Sequence, residues 1–282
     1  MIPFLDFGGS GPSLHFAHAN GYPPRAYAPL IETLTPRYHV TAMLMRPLWP
    51  GHPPNGLRDW SPLADDLLRF LDGRGEQGVI GVGHSLGGVV TLIAALRRPE
   101  LFRAVVMIDP VLLPYGVLFA WTIAYKLGLA HHLHPLIPAT LRRQCVFDSV
   151  EAMYTSYRRK AVFSRIDDHG LRACVEALAR PRPDGQVELA YPTDWEVKIY
   201  LTGPLVEWKL WPQVKGLRVP LLVVRGQETD AFMPVAARMM QSRLPGAEIR
   251  TIAGAGHLVP LEKPEEVGAV IHEFLERVER VA

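Results

Sequence analysis

The sequence predicts an α/β protein: a mostly parallel, doubly wound sheet interrupted by a mainly helical insertion. Three observations lead there. Short apolar runs alternate with helical stretches as far as Asp109, the pattern of βαβ crossovers on a parallel sheet. From Val111 to about Gln213 the alternation stops, and helical and irregular stretches replace it. It resumes at Pro220. Residues 1–110 and 214–282 therefore read as two parts of one core, with 111–213 inserted between them. A chain of 282 residues is long enough for one large domain of this kind.

Taken in order, residues 2–8 read as a strand ended by the turn cluster Gly8-Gly9-Ser10-Gly11-Pro12. Leu14 to Ala19 form a second strand that runs into Asn20-Gly21-Tyr22-Pro23-Pro24, and a helix follows around Ala28 to Leu34. His39 to Met45 make another apolar strand, ahead of a loop rich in Pro and Gly. Ser61-Pro62 read as N-cap and first residue of a helix, with Asp65 and Asp66 in its early turns. GVIGVGH suits a buried strand, and LGGVVTLIAALRR a helix ending on Arg97, Arg98 and Pro99. AVVMIDP is a strand that ends at Asp109. Beyond the insertion come the strand PLLVVRG, a helix near Val235 to Ser242, a strand from Glu248 to Ile252, the loop Gly254-Ala255-Gly256-His257 and a helix from Pro264 to about Val278.

Composition narrows the function. Hydrophobic residues make up 48% and charged residues 21%, a globular balance. A formal net charge of +2 offers no argument for nucleic acid or an anionic membrane as partner. Cys145 and Cys174 supply neither a disulfide framework nor a metal spacing, and read as reduced thiols. MIPFLDFGGSG lacks the features of a secretory signal, so a cytoplasmic location is expected. The most apolar segment, Val111 to Ala130, is broken by Pro114, Gly116 and Lys126. It reads as a pocket-lining helix rather than a membrane span, with a membrane-touching helix as the alternative. His131, His132 and His134 lack the convergent spacing of a metal site. No glycine loop fits a P-loop or a dinucleotide fingerprint, so no cofactor and no metal are expected.

The chemistry centres on Gly83-His84-Ser85-Leu86-Gly87, a G-x-S-x-G placed between a strand and a helix. Such a Ser occupies a sharp, strained turn with its Oγ exposed, and the flanking glycines leave room where strand and helix close together. The Leu86 N–H then lies at a helix N-terminus, aimed where an oxyanion forms. A serine hydroxyl needs a base, and the base needs an orienting acid. In doubly wound sheets such groups lie on loops after strand ends. His257, after the last strand, is the base this order selects. Asp230, in Gly226-Gln227-Glu228-Thr229-Asp230, is preferred as the acid. Asp109 is its rival and Glu228 a third choice.

The order Ser85, Asp230, His257 and the segments VIGVGHSLGG, VPLLVVRGQETD and AGHLVPLEKPEEV resemble the α/β-hydrolase superfamily, in its serine-nucleophile, capped, esterase- and lipase-like form. FAHANGYP resembles the family's His-Gly-x-Pro oxyanion loop, with Asn20 where His usually stands. Alignment on Gly21 and Pro23 makes the Tyr22 N–H the second oxyanion donor beside Leu86; alignment on His18 makes it Asn20. RPLWPG departs from the family's usual loop after the third strand. The resemblance implies that residues 111–213 form a cap over the active site. It also implies a serine hydrolase cleaving a carboxylic ester of a small or medium apolar substrate through an acyl-enzyme. The same triad serves C–C bond hydrolases, lactonases, thioesterases, acyltransferases and perhydrolases. A non-catalytic ligand-binding protein on the same scaffold is the competing class.

Overall fold

In a computed structural model, which describes residues 2–281, the first core segment holds strands β1 (Phe4–Gly8), β2 (Ser13–Ala17), β3 (His39–Met43), β4 (Val79–His84) and β5 (Phe102–Ile108). Between them run helices α1 (Ala28–Leu34), α2 (Ser61–Gly73) and α3 (Leu86–Arg97). The insertion carries α4 (Tyr115–Lys126), α5 (Ala130–Leu133), α6 (Ile137–Arg142), β6 (Val146–Phe147), α7 (Val150–Arg158), α8 (Asp168–Leu178), β7 (Ala179–Pro181), β8 (Val187–Leu189) and α9 (Thr193–Gln213). The core closes with β9 (Leu221–Gly226), α10 (Pro234–Arg243), β10 (Glu248–Ile252), α11 (Val259–Glu262) and α12 (Pro264–Val281).

The main sheet has the order β1-β3-β2-β4-β5-β9-β10. Only the β1–β3 pairing is antiparallel. The chain leaves β2 for β3 on one side and returns to β4 on the other, so the strand order reverses between β2 and β4. In open α/β sheets such a reversal opens a crevice at the carboxyl ends of the strands, and β4 ends there at His84, with Ser85 next.

Strand side chains alternate between two apolar layers, as the period of two requires. Ile80, Val82, Val106 and Leu222 face the layer shared with α1 and α12. Val79, Val105, Met107 and Val223 face the layer shared with α2, α3 and α10. Helix α3 is buried from Leu86 to Ala95, which accounts for its near-uniform apolar sequence.

Three local readings need correction. Ser61 lies inside α2 rather than capping it, and Asp59 Oδ1 accepts the Ser61 N–H at 2.8 Å. The insertion is not wholly helical: β6, β8 and β7 form a small antiparallel sheet. Strands of two and three residues carry too little alternation to be read from sequence. Helix α4 does not line a pocket with its whole apolar surface. Only Leu118 and Ala124 of this helix are buried. No helix among the described residues is long and apolar enough to cross a membrane.

Two core histidines are held neutral. Met43 N–H donates to His15 Nε2 and Met45 N–H to His18 Nε2, both at 3.1 Å. His18 Nδ1–H donates to Ala19 O at 2.9 Å. Protonation would set an N–H against an N–H. Burial pushes the pKa of His15 down to about 3 and of His18 to about 4. Because both folded values lie below the unfolded one, their contribution is complete above pH 6.5 and is lost as pH falls toward 4. Urea denaturation at pH 5 against pH 7 is expected to show a loss of about 2 kcal/mol for each. Equal stability at the two pH values would contradict the assignment.

Candidate active site

Ser85 follows the last residue of β4 and precedes α3, with φ 54° and ψ −118°. Its N–H donates to Ile108 O at 2.9 Å, which extends the β4–β5 ladder into the turn. A Cβ on Gly83 would lie 2.4 Å from the Gly87 carbonyl, and one on Gly87 would lie 2.0 Å from Ala17 O. Only glycine allows strand and helix to approach this closely. Among the described residues, Ser85 and Asp109 are the two non-glycine positions with positive φ.

Around Ser85 the strand ends assemble a linear chain of polar contacts. His257 Nε2 lies 3.1 Å from Ser85 Oγ. His257 Nδ1 lies 2.6 Å from Asp109 Oδ2. Asp109 is fully buried. Its Oδ1 accepts the Gly226 N–H at 3.2 Å, and its Oδ2 also accepts the Thr229 hydroxyl. Donors thus converge on both carboxyl oxygens, and His257 meets Asp109 through Nδ1–H. Nε2 is left as the acceptor for the Ser85 hydroxyl, the tautomer a general base requires.

The preferred acid of the sequence reading is corrected here. Asp230 is exposed, and the carboxylate at His257 belongs to Asp109. The loop after β9 turns Thr229 inward and Asp230 outward. Glu228 is exposed as well and pairs with Arg165 of the insertion. Asp109 extends β5 directly: its N–H donates to Val224 O at 2.7 Å. That fixes its side chain beside β9, under the loop that follows β10.

A second set of contacts braces the histidine loop. His84 is fully buried. Its Nε2 lies 2.9 Å from His257 O, so this nitrogen carries the proton and donates. Nδ1 then accepts the Tyr27 hydroxyl at 2.8 Å, and that hydroxyl accepts the Ala19 N–H at 3.2 Å. Burial, with His257 nearby, pushes the His84 pKa well below the ordinary histidine value. The network ties the loop after β2 to the histidine loop through the elbow. Nothing in the sequence marks Thr229 or this connection. Tyr27→Phe leaves the Ala19 N–H without its acceptor. It is expected to lower the unfolding free energy by about 1–3 kcal/mol. A urea midpoint equal to wild type would show that the hydroxyl does not matter.

At the loop after β2, Gly21 has φ +81°. The Tyr22 N–H reaches Ala19 O at 3.4 Å, a long and weak bond. The Leu86 N–H, at the start of α3, has no partner within its helix. Insertion residues meet the loops on both sides. Glu196 of α9 is buried, and its carboxylate approaches Gly21. Asn20 Nδ2 donates to Glu196 O at 3.1 Å. Arg143, after α6, pairs with the Glu196 carboxylate at 2.6 Å. On the far side the Arg165–Glu228 pair reaches the segment that follows β9.

A doubly wound sheet with a strained serine at its strand-to-helix elbow, a histidine after the last strand and a buried carboxylate defines a class. The chain belongs to the alpha/beta hydrolase family, whose model matches residues 16–270. It is 27% identical over 285 residues to the pimeloyl-[acyl-carrier protein] methyl ester esterase of Aromatoleum aromaticum, covering 94% of this chain and 98% of that protein. It is 28% identical over 278 residues to the polyketide synthase ThaQ of Burkholderia thailandensis, covering 98% of this chain but spanning only 12% of that protein. The crystal structure of E-2-(acetamidomethylene)succinate hydrolase superposes with a TM-score of 0.79 at 24% identity, covering 97% of this chain and 94% of that one.

Proposed function

We propose that the protein is a serine hydrolase that cleaves a carboxylic ester of a small or medium apolar substrate through an acyl-enzyme on Ser85. The observation that carries this reading is the hydrogen-bond chain from Ser85 Oγ through His257 to Asp109. Ser85 Oγ attacks the ester carbonyl carbon while His257 Nε2 takes its proton. Asp109 holds the imidazole tautomer and stabilises the imidazolium. The oxyanion is received by the Leu86 N–H and by the Tyr22 N–H, with the Asn20 N–H as the alternative second donor. The weakness of the Tyr22–Ala19 bond favours Tyr22, since little is lost in redirecting that N–H. The tetrahedral adduct collapses as His257 gives its proton to the leaving alcohol, and the acyl group stays on Ser85. Water, deprotonated by His257, then attacks the acyl carbon; the C–O bond to Ser85 breaks as His257 returns that proton to Ser85 Oγ, and the acid leaves.

Residues 111–213 act as the cap. Their contacts at the loop after β2 and at the segment after β9 support that role. The esterase relative, matched along nearly its whole length, supports an ester substrate. A thioester is the second reading, favoured by the match to a segment of a polyketide synthase, since the same acyl-enzyme forms with a thiol leaving group.

The test is hydrolysis of p-nitrophenyl esters of increasing acyl length, with a matched S-acyl thioester series and fluorophosphonate labelling alongside. Turnover with an optimum acyl length is expected, together with labelling of Ser85. A preference for thioesters over esters of the same acyl group would replace the ester reading with the second one. Neither turnover nor labelling would leave a ligand-binding protein.

A further inference from the structure

Helix α4 presents an apolar surface outward. Its inner side packs Leu118 and Ala124, with Trp121 set against Ala130 and Ile137. On the opposite side Phe119, Ile123 and Leu127 repeat at i, i+4, i+8, one face of a helix. They are 60%, 44% and 67% exposed. The chain continues through α5 and α6, where Leu133 and Leu141 are 62% and 61% exposed. Soluble monomers rarely leave a contiguous apolar patch larger than roughly a few hundred Å² uncovered. Folding has left these five side chains exposed although Val111 to Ala130 is the most apolar segment of the chain.

The exposed charges within the segment itself have one sign. From Pro110 to Phe147 the sequence contains no Asp or Glu, but it contains Lys126, Arg142 and Arg143. Lys126 and Arg142 are exposed, and Arg143 is turned inward onto Glu196. Of the acids of α9, the helix behind, Glu196 and Glu207 are buried, and Asp194 is exposed at its N-terminal end. Trp208 marks an edge: it is partly exposed, stacks on Tyr115, and donates its Nε1–H to Thr122 Oγ1 at 2.9 Å. An aromatic that is apolar on its face and hydrogen-bonded at its tip suits a boundary between hydrocarbon and water.

We propose that the α4–α6 face docks on an anionic lipid bilayer, with α4 lying in the plane of the interface. Charge complementarity selects this occupant. A second copy of the same face would set Lys126 and Arg142 against cations, with no exposed carboxylate in the segment to pair them. A layer of anionic headgroups supplies the missing counter-charge, and the acyl region beneath receives Phe119, Ile123 and Leu127. At 12 residues α4 is too short to span a bilayer. The chain's small net charge does not oppose the docking, because the positive charge is local to the segment.

Flotation with unilamellar vesicles tests the docking, using Ser85→Ala protein so that the result is independent of the hydrolase reading. Vesicles of phosphatidylcholine mixed with phosphatidylglycerol are expected to carry the protein, and pure phosphatidylcholine vesicles at least about tenfold less. Binding to the mixed vesicles is expected to weaken in high salt. The variant Phe119→Ser/Leu127→Ser/Leu133→Ser should lose binding by about tenfold or more. Lys126→Glu/Arg142→Glu, which leaves the apolar positions untouched, should lose the preference for anionic vesicles. No flotation of the parent protein would overturn the docking, and so would flotation that both variants leave unchanged. Concentration-dependent dimerisation in sedimentation, abolished by the triple variant and unaccompanied by flotation, would make the face a contact between copies instead.

Discussion

Ser85→Ala is expected to lower kcat about 10⁴- to 10⁶-fold on the best p-nitrophenyl ester, and to abolish fluorophosphonate labelling. The size of the effect follows from what is removed. Without Oγ there is no acyl-enzyme, and His257 and Asp109 are left with no proton to move. Donor groups that stabilise an oxyanion would remain and supply the residual rate over water. Ala keeps the Cβ and therefore the backbone geometry at φ 54°, so the thermal midpoint should stay close to that of wild type. A correctly folded variant with near-normal turnover would remove Ser85 from the mechanism.

Asp109→Asn should lower kcat by about 10⁴-fold, while Asp230→Asn should change it by less than about threefold. An amide at position 109 offers only one acceptor atom to three neighbours: His257, the Gly226 N–H and the Thr229 hydroxyl. If that oxygen stays with the Gly226 N–H, the amide NH₂ takes the Oδ2 place and faces both His257 Nδ1 and the Thr229 hydroxyl. The imidazole then takes the opposite tautomer and presents Nε2–H to Ser85, which cannot accept its proton. Asn tolerates a positive φ well, so the loss should be chemical rather than a failure to fold. Asp230 is exposed on the outward side of its loop, and its amide should pass almost unnoticed. Steady-state rates and thermal melts of the two variants check both parts. The reverse ranking would return the acid role to Asp230.

The core strands and helices were legible in the sequence because their apolar periods are clean and their ends carry Gly, Pro or Asn-Gly turns. Ser85 and His257 were legible because each follows a recognisable strand, and their meeting is recorded at 3.1 Å. The acid was not. Asp109 and Asp230 both follow apolar strands, and what separates them is which strand lies where in the sheet. β5 sits between β4 and β9, so a carboxylate at its end lies beside the serine, with β9 and the histidine loop closing over it. That adjacency is a property of topology, and no local pattern encodes it. One residue of loop phase after β9 decides the rest, with Thr229 facing in and Asp230 facing out. In the insertion, the small sheet was not legible because strands of two or three residues span little more than one period of two. For α4 the pocket-lining and the outward-facing readings stayed open together because apolarity alone does not say which way a helix turns.

The positive backbone angles at Ser85 and Asp109 bear on how this protein would respond to selection for heat resistance. Non-glycine residues held in such conformations each cost of order 1–3 kcal/mol. Glycine at either position would relieve that cost and remove the functional side chain in the same step. A screen scored only by survival at high temperature would therefore reward loss of both side chains, and with them the proposed chemistry, at these two codons. Libraries directed at thermal hardiness should hold both positions invariant or couple every round to turnover.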